Sequence, residues 1–169
     1  LDLYLLHWRG NVPFAETLEA LAALRDAGKI RHYGVSNLDL ADMQELWPLN
    51  GGAAVAANQL LYNLTRRGIE WDLLPWLRAH RIPVMAYSPL EQARLVSHAK
   101  LVKFAQRHGM TPAQTALARL LAHDDIIVIP KSARREGVTE NLGALDHSLT
   151  AAQCAELDAL FPPPRGPRA

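Results

Sequence analysis

Five short apolar runs, each ending in polar residues and each followed by a helical pattern, constrain this chain more than any other feature of its sequence. They cover residues 3–6, 33–35, 54–61, 84–86 and 126–129. Strands that read as nearly continuous hydrophobic runs are buried on both faces, which calls for a parallel sheet covered by helices. The segments between them supply those helices. Pro13 suits a helix's first turn, Phe14, Leu18, Leu21 and Leu24 recur on one face, and Gly28 is placed to stop it. Asp39 with Asp42 starts a second helix, which Pro48 closes. A third carries Trp71, Leu74 and Leu77 toward His80, and Pro83 opens the next strand, where a missing N–H does no harm. Two helices precede the fifth strand, the later one opened by the capping box Thr111-Pro112-Ala113-Gln114. Two more follow, around residues 138–145 and from the box Thr150-Ala151-Ala152-Gln153 to Leu160. The pattern divides the chain into a β/α domain over residues 1–161 and a proline-rich tail over 162–169.

Five β/α units suit either a doubly wound sheet or part of a barrel. No GxGxxG and no GxxxxGK[ST] follows any strand, so the nucleotide-binding sheets lose ground and the barrel gains. With 169 residues, 49% of them hydrophobic, the chain can bury a core of one domain. A net charge of +1 argues against a nucleic-acid partner, and Arg66-Arg67 reads as a pair of solvated turn residues. No apolar run approaches the ~20 residues of a membrane span. With no signal peptide, the cytoplasm is the expected location. Cys154 is expected as a small buried side chain in the last helix. His80, His98, His108, His123 and His147 lie far apart without an HExxH, so surface histidines and no metal site are expected.

The strands end in His7; Ser36 and Asn37; Gln59 through Asn63; Tyr87 and Ser88; and Lys131 and Ser132. In a parallel barrel those ends share the ligand-binding face. Ser, Asn and Gln can pair with a carboxamide, an aromatic ring can stack on a flat heterocycle, and a lysine at a helix start offers charge to a phosphate. A carboxamide, a flat ring and a phosphate describe a nicotinamide dinucleotide phosphate.

The segments DLYLLHW, GKIRHYGVSN, NQLLYN, PVMAYSPL and IPKS…TENLGAL resemble, in order, the fourth to eighth strands and cofactor loops of the aldo-keto reductases. The resemblance implies a TIM (β/α)8-barrel fold, here an incomplete barrel of about five β/α units with extra C-terminal helices. It implies an oxidoreductase that reduces an aldehyde or ketone by hydride transfer from NADPH. His7 matches the catalytic histidine that orients the carbonyl, and Trp8 a substrate-pocket position. Ser36, Asn37 and Gln59 match the carboxamide contacts, and Tyr87 matches the ring stacked on the nicotinamide. Ser88 and Leu90 fall in the pyrophosphate loop. Lys131 and Ser132 match the 2′-phosphate site, and Glu140 and Asn141 the adenine contacts.

One position departs from the pattern. Gly137 stands where many members carry an arginine that clamps the 2′-phosphate, so Arg134 or Arg135 is a candidate substitute and NADH stays open as the alternative cofactor. The family's acid tyrosine, its lysine and its aspartate lie on segments before the fourth strand. Tyr4, on the strand that leads to His7, cannot stand in for the acid. The chain opens at Leu1-Asp2-Leu3-Tyr4, inside a strand, which reads as a truncation boundary. The expectations are an isolated chain without reductase activity and a partner in the remaining N-terminal half, or self-association through open strand edges. The alternative is a non-catalytic NADP(H)-binding pseudoenzyme or regulatory subunit.

Overall fold

A computed structural model describes residues 1–163 together with Arg165 and Gly166. Of the expected tail, Pro164 and residues 167–169 lie outside the described residues. Strands β1 (Leu3–Leu6), β2 (His32–Ser36), β3 (Val55–Leu61), β4 (Val84–Tyr87) and β5 (Ile126–Val128) form one sheet in the order β1-β2-β3-β4-β5. Strand order that follows chain order is barrel-type; a doubly wound sheet reverses its order at the switch point. The helices are α1 (Phe14–Asp26), α2 (Leu40–Leu46), α3 (Leu73–Ala79), α4 (Ala99–Arg107), α5 (Pro112–Leu121), α6 (Arg135–Leu142) and α7 (Ala151–Leu160).

The register carries one irregularity. β1 and β2 run parallel from Leu3 opposite His32 to Leu6 opposite Val35. β2 and β3 pair Tyr33 with Val55 but Val35 with Asn58 and Ser36 with Gln59, so β3 holds one extra residue at the slip. Gly34 sits at that slip for a steric reason. A Cβ there would lie 2.7 Å from the Ala57 carbonyl oxygen and 2.8 Å from the Leu5 side chain.

Helix boundaries follow local chemistry. The Asp39 carboxylate accepts the Asp42 amide at 3.0 Å and caps α2. Both capping boxes form, with the Thr111 hydroxyl accepting the Gln114 amide at 3.1 Å and the Thr150 hydroxyl accepting the Gln153 amide at 3.2 Å. Each such cap is worth about 1 kcal/mol. Pro13 lies just outside α1 as its cap residue. Trp71 stays outside α3 and is exposed, after a 3-10 turn over Gly68–Glu70. The helix expected at 138–145 begins earlier, at Arg135, and tightens into a 3-10 turn at Gly143–Asp146.

The chain divides into two compact units. The first comprises Leu1–Leu60 and Asp72–Met85, the second Leu61–Trp71 and the chain from Ala86 onward. In the first, Phe14, Leu18 and Leu21 bury one face of α1, and Tyr33, Val35, Met43, Leu46, Leu74 and Val84 are buried with them. Burial contributes about 1.5–3 kcal/mol for each large side chain. The Trp76 and His80 rings stack at 3.7 Å, with Trp47 edge-on to both.

The second unit has its own core of Leu64, Leu95, Leu101, Phe104, Met110, Leu157 and Phe161. Beside it lies an ionic network that corrects the reading of Arg66-Arg67 as solvated turn residues. Arg67 is only 6% exposed. It donates two bonds of 2.8 Å to Glu70, one of 2.8 Å to Asp158 and one of 2.8 Å to the Phe161 carbonyl. Asp158 also accepts from the buried Arg119 at 2.8 Å. The histidines are likewise not simply solvated: His80 stacks on Trp76, His108 packs on Phe104 and His123 meets Arg119 at 2.9 Å. Cys154 is half-buried in α7. Among the described residues, no helix is long and apolar enough to cross a membrane.

Candidate functional site

The residues singled out in the sequence fall into two groups, one in each unit. In the first unit, three adjacent parallel strands bring four of them into one hydrogen-bonded set. The Asn37 amide nitrogen donates to the His7 carbonyl at 3.1 Å and to the Ser36 hydroxyl at 3.0 Å. The Ser36 hydroxyl and the Asn37 backbone N–H both donate to the Gln59 carbonyl, at 2.8 and 2.9 Å. Asn37 takes the left-handed conformation (φ 59°), which asparagine tolerates better than most residues and which turns the chain sharply at the end of β2. Its amide nitrogen is thus engaged with two partners inside the protein. Ser36 is buried, while Asn37 and Gln59 are half-buried.

His7 and Trp8 follow β1 and are exposed, their rings 5.8 Å apart. Arg9, which the sequence reading did not single out, ties the segment behind them to α2. Its guanidinium donates to Glu45 at 2.8 and 2.9 Å and to Asp42 at 2.5 Å, and it covers the Phe14 ring at 4.4 Å. The hydrogen bonds to Glu45 and Asp42 raise its pKa further above the usual arginine value.

In the second unit, Ser88, Leu90 and Lys131 line one cavity of about 370 Å³, together with Pro89, Gln92, Ala93, Ile129 and Pro130. Tyr87 is half-buried at the end of β4, and burial pushes its phenol up. Ser132 is engaged locally: its hydroxyl donates to the Arg134 carbonyl at 3.1 Å and accepts the Arg134 amide at 3.2 Å. At Gly137 a Cβ would sit 2.3 Å from the Ser132 oxygen, so a side chain there would require that hydroxyl to rotate away. Arg134 caps α6 and Arg135 opens it, and both are exposed. Glu140 and Asn141 are half-buried on α6. Asn141 lines a different hollow, an apolar groove of about 460 Å³ with Ile126, Val128, Val138, Leu142 and Leu145.

Tyr62 is fully buried and donates to Glu70 at 2.7 Å. Burial, then the Glu70 charge, raise its pKa far above the usual phenol value, so it is held neutral as a structural group. Asn63 and Glu91 were missed as a pair by sequence reasoning. The Asn63 amide nitrogen donates to Glu91 at 2.6 Å and to the Ser88 carbonyl at 3.0 Å. The only signal for them was the polar end of the third apolar run.

A model of the aldo/keto reductase family matches residues 1–161. The chain belongs to this family. It is 48% identical to methylglyoxal reductase YeaE of Escherichia coli (strain K12), over 98% of this chain and 60% of that protein. It is 33% identical to glyoxal reductase of Bacillus subtilis (strain 168), over 95% of this chain and 56% of that protein. Among solved structures, an aldo-keto reductase from Klebsiella pneumoniae in complex with NADPH superposes with a TM-score of 0.95 at 49% identity. That match covers 99% of this chain and 61% of the other. The chain therefore spans somewhat more than half the length of the relatives it matches. Its fold is the β/α-barrel type of this family, represented here by five consecutive strands and their helices.

Proposed function

We propose that this chain forms the dinucleotide-binding and carbonyl-orienting part of an NADP(H)-dependent aldo/keto reductase that converts an aldehyde or ketone to an alcohol. The observation that carries the reading is the bonded set His7–Asn37–Ser36–Gln59 at the ends of three neighbouring strands. Its polar residue types suit a nicotinamide carboxamide, and the Asn37 bond to the His7 carbonyl holds that backbone beside them. Support also comes from the Klebsiella pneumoniae structure, crystallised with NADPH, and from relatives named for reducing methylglyoxal and glyoxal, both small dicarbonyls. A small aldehyde of that kind is the substrate class this reading favours.

The bound dinucleotide would supply the hydride. The protein's share is to hold, orient and shield. Asn37 and Gln59 hold the carboxamide, the Tyr87 ring offers a stacking surface, and His7 orients the carbonyl oxygen. Lys131 at the cavity rim attracts phosphate; because Gly137 carries no side chain, Arg134 and Arg135 at the start of α6 supply the remaining positive charge for a 2′-phosphate. Glu140 and Asn141 lie one to two turns further along the same helix, for the adenine.

In this reading the 169-residue chain binds NADPH without sustained turnover, because the resemblance puts the family's acid tyrosine, lysine and aspartate on other segments. Fluorescence titration should show NADPH binding to the purified chain. Lys131→Met should weaken it by about 10- to 100-fold, the worth of a charge-assisted bond of roughly 1.5–3 kcal/mol, with little change for NADH. Equal losses for both cofactors would remove the 2′-phosphate role, and steady oxidation of NADPH by methylglyoxal with the chain alone would refute the division of labour.

A further inference from the structure

The segment behind β4 holds an unusual backbone. Ser88, Glu91, Gln92 and Ala93 all have positive φ, at 48°, 48°, 53° and 70°, and the last three are consecutive. None is glycine. L-residues avoid this region because Cβ crowds the following carbonyl, so a left-handed run persists only where its surroundings enforce it.

The enforcing group is visible. The Glu91 carboxylate accepts the Asn63 amide at 2.6 Å on one oxygen and a two-pronged grip from Arg66, at 3.1 and 3.1 Å, on the other. Asn63 is buried, its oxygen accepts the Thr65 and Arg66 amides at 2.9 and 3.0 Å, and its nitrogen also holds the Ser88 carbonyl. The anchor is itself rigid, because the adjoining Arg67 is locked to Glu70, Asp158 and the Phe161 carbonyl. Burial opposes the charge on Glu91, yet bonds from Asn63 and Arg66 and the nearby charge of Arg94 hold its carboxyl below the usual range. The run so fixed forms one wall of the cavity that Lys131 lines.

We propose that Glu91 is a positioning residue: clasped by Asn63 and Arg66, it holds residues 88–93 as a fixed wall of the Lys131 cavity and so sets how long a dinucleotide stays bound. This rests on the dinucleotide reading above. Glu91 does not touch the reacting atoms; it acts through the wall.

The test is NADPH release from the chain, followed by stopped-flow fluorescence, with hydrogen exchange of residues 88–94 measured without ligand. Glu91→Ala should speed release at least tenfold and raise exchange in that segment, while exchange in α5 is unchanged. Arg66→Ala, at an exposed position that threatens folding little, should do the same, and the double variant should be no worse than either single one, as for residues acting through one contact. A lower melting temperature with release unaltered would show a merely structural role and overturn the proposal. A wild-type chain that binds no NADPH sinks the dinucleotide reading and this proposal together. Wild-type binding with unaltered release from Glu91→Ala sinks the clasp alone.

Discussion

The segment just beyond His7 and Trp8 is tied to α2 by one arginine. Arg9 meets two carboxylates of α2 and covers Phe14, so its removal frees both carboxylates and uncovers the ring. The ion pair is solvent-exposed, and exposed pairs contribute under about 1 kcal/mol, so Arg9→Ala should scarcely move the melting temperature. It should act locally instead: amide exchange over residues 7–12 should quicken and Trp8 fluorescence should shift. Unchanged exchange there would show that the backbone alone fixes this segment. At Asn37 the consequence is larger. Asn37→Ala removes two side-chain hydrogen bonds and puts alanine in the left-handed region, for an expected loss of about 2–4 kcal/mol by denaturant melting.

Among the elements, α7 is tied to the unit that contains it by the Asp158 carboxylate as well as by Leu157. Burial alone would raise the Asp158 pKa, but bonds and charge from Arg119 and Arg67 outweigh it and lower the value below its ordinary 3.8. A carboxyl depressed in the folded state contributes stability that is full above its unfolded pKa and is lost as pH falls through the folded one. Acid melting curves should therefore steepen below about pH 4 for the wild type, and less so for Asp158→Asn, which begins less stable at pH 7. Sequence made the strand ends legible because apolar runs stop where polar residues begin, and it made the caps legible because a threonine and a glutamine three apart satisfy each other locally. It hid Arg67, since the partners that bury it, Asp158 and Phe161, stand 91 and 94 residues away. Nothing in the spelling of a double arginine distinguishes a solvated pair from one buried member and one clasp. Asn141 is matched to an adenine contact by resemblance alone, and its place in an apolar groove depends on the angle of α6, which periodicity does not encode.

For the molecule as a whole, β1 and β5 each end the strand order and so leave one edge without a strand neighbour among the described residues. Beside β5 the apolar side chains Ile127, Val138, Leu142 and Leu145 are exposed, each by about half or more. Unpaired edges next to exposed apolar surface promote association. Light scattering of the 169-residue chain should show mass rising with concentration, and Leu142→Lys with Leu145→Lys should suppress it. A sharp monomer at all concentrations would show that this face tolerates water. The candidate site residues read from sequence are thus carried by two units, each with buried apolar residues of its own.

The extra residue in β3 has a consequence for anyone altering this chain. Because β3 carries one residue more than β2 at the slip, deleting Ala56 would leave Asn58 opposite Val35 and Gln59 opposite Ser36, on the faces they now occupy. Buried Asn58, whose amide holds the Leu38 carbonyl at 3.0 Å, would keep its side of the strand. A deletion of one small, chemically mute alanine should then cost less dinucleotide affinity than replacing either polar neighbour. Spacing, in that stretch, has one residue of slack.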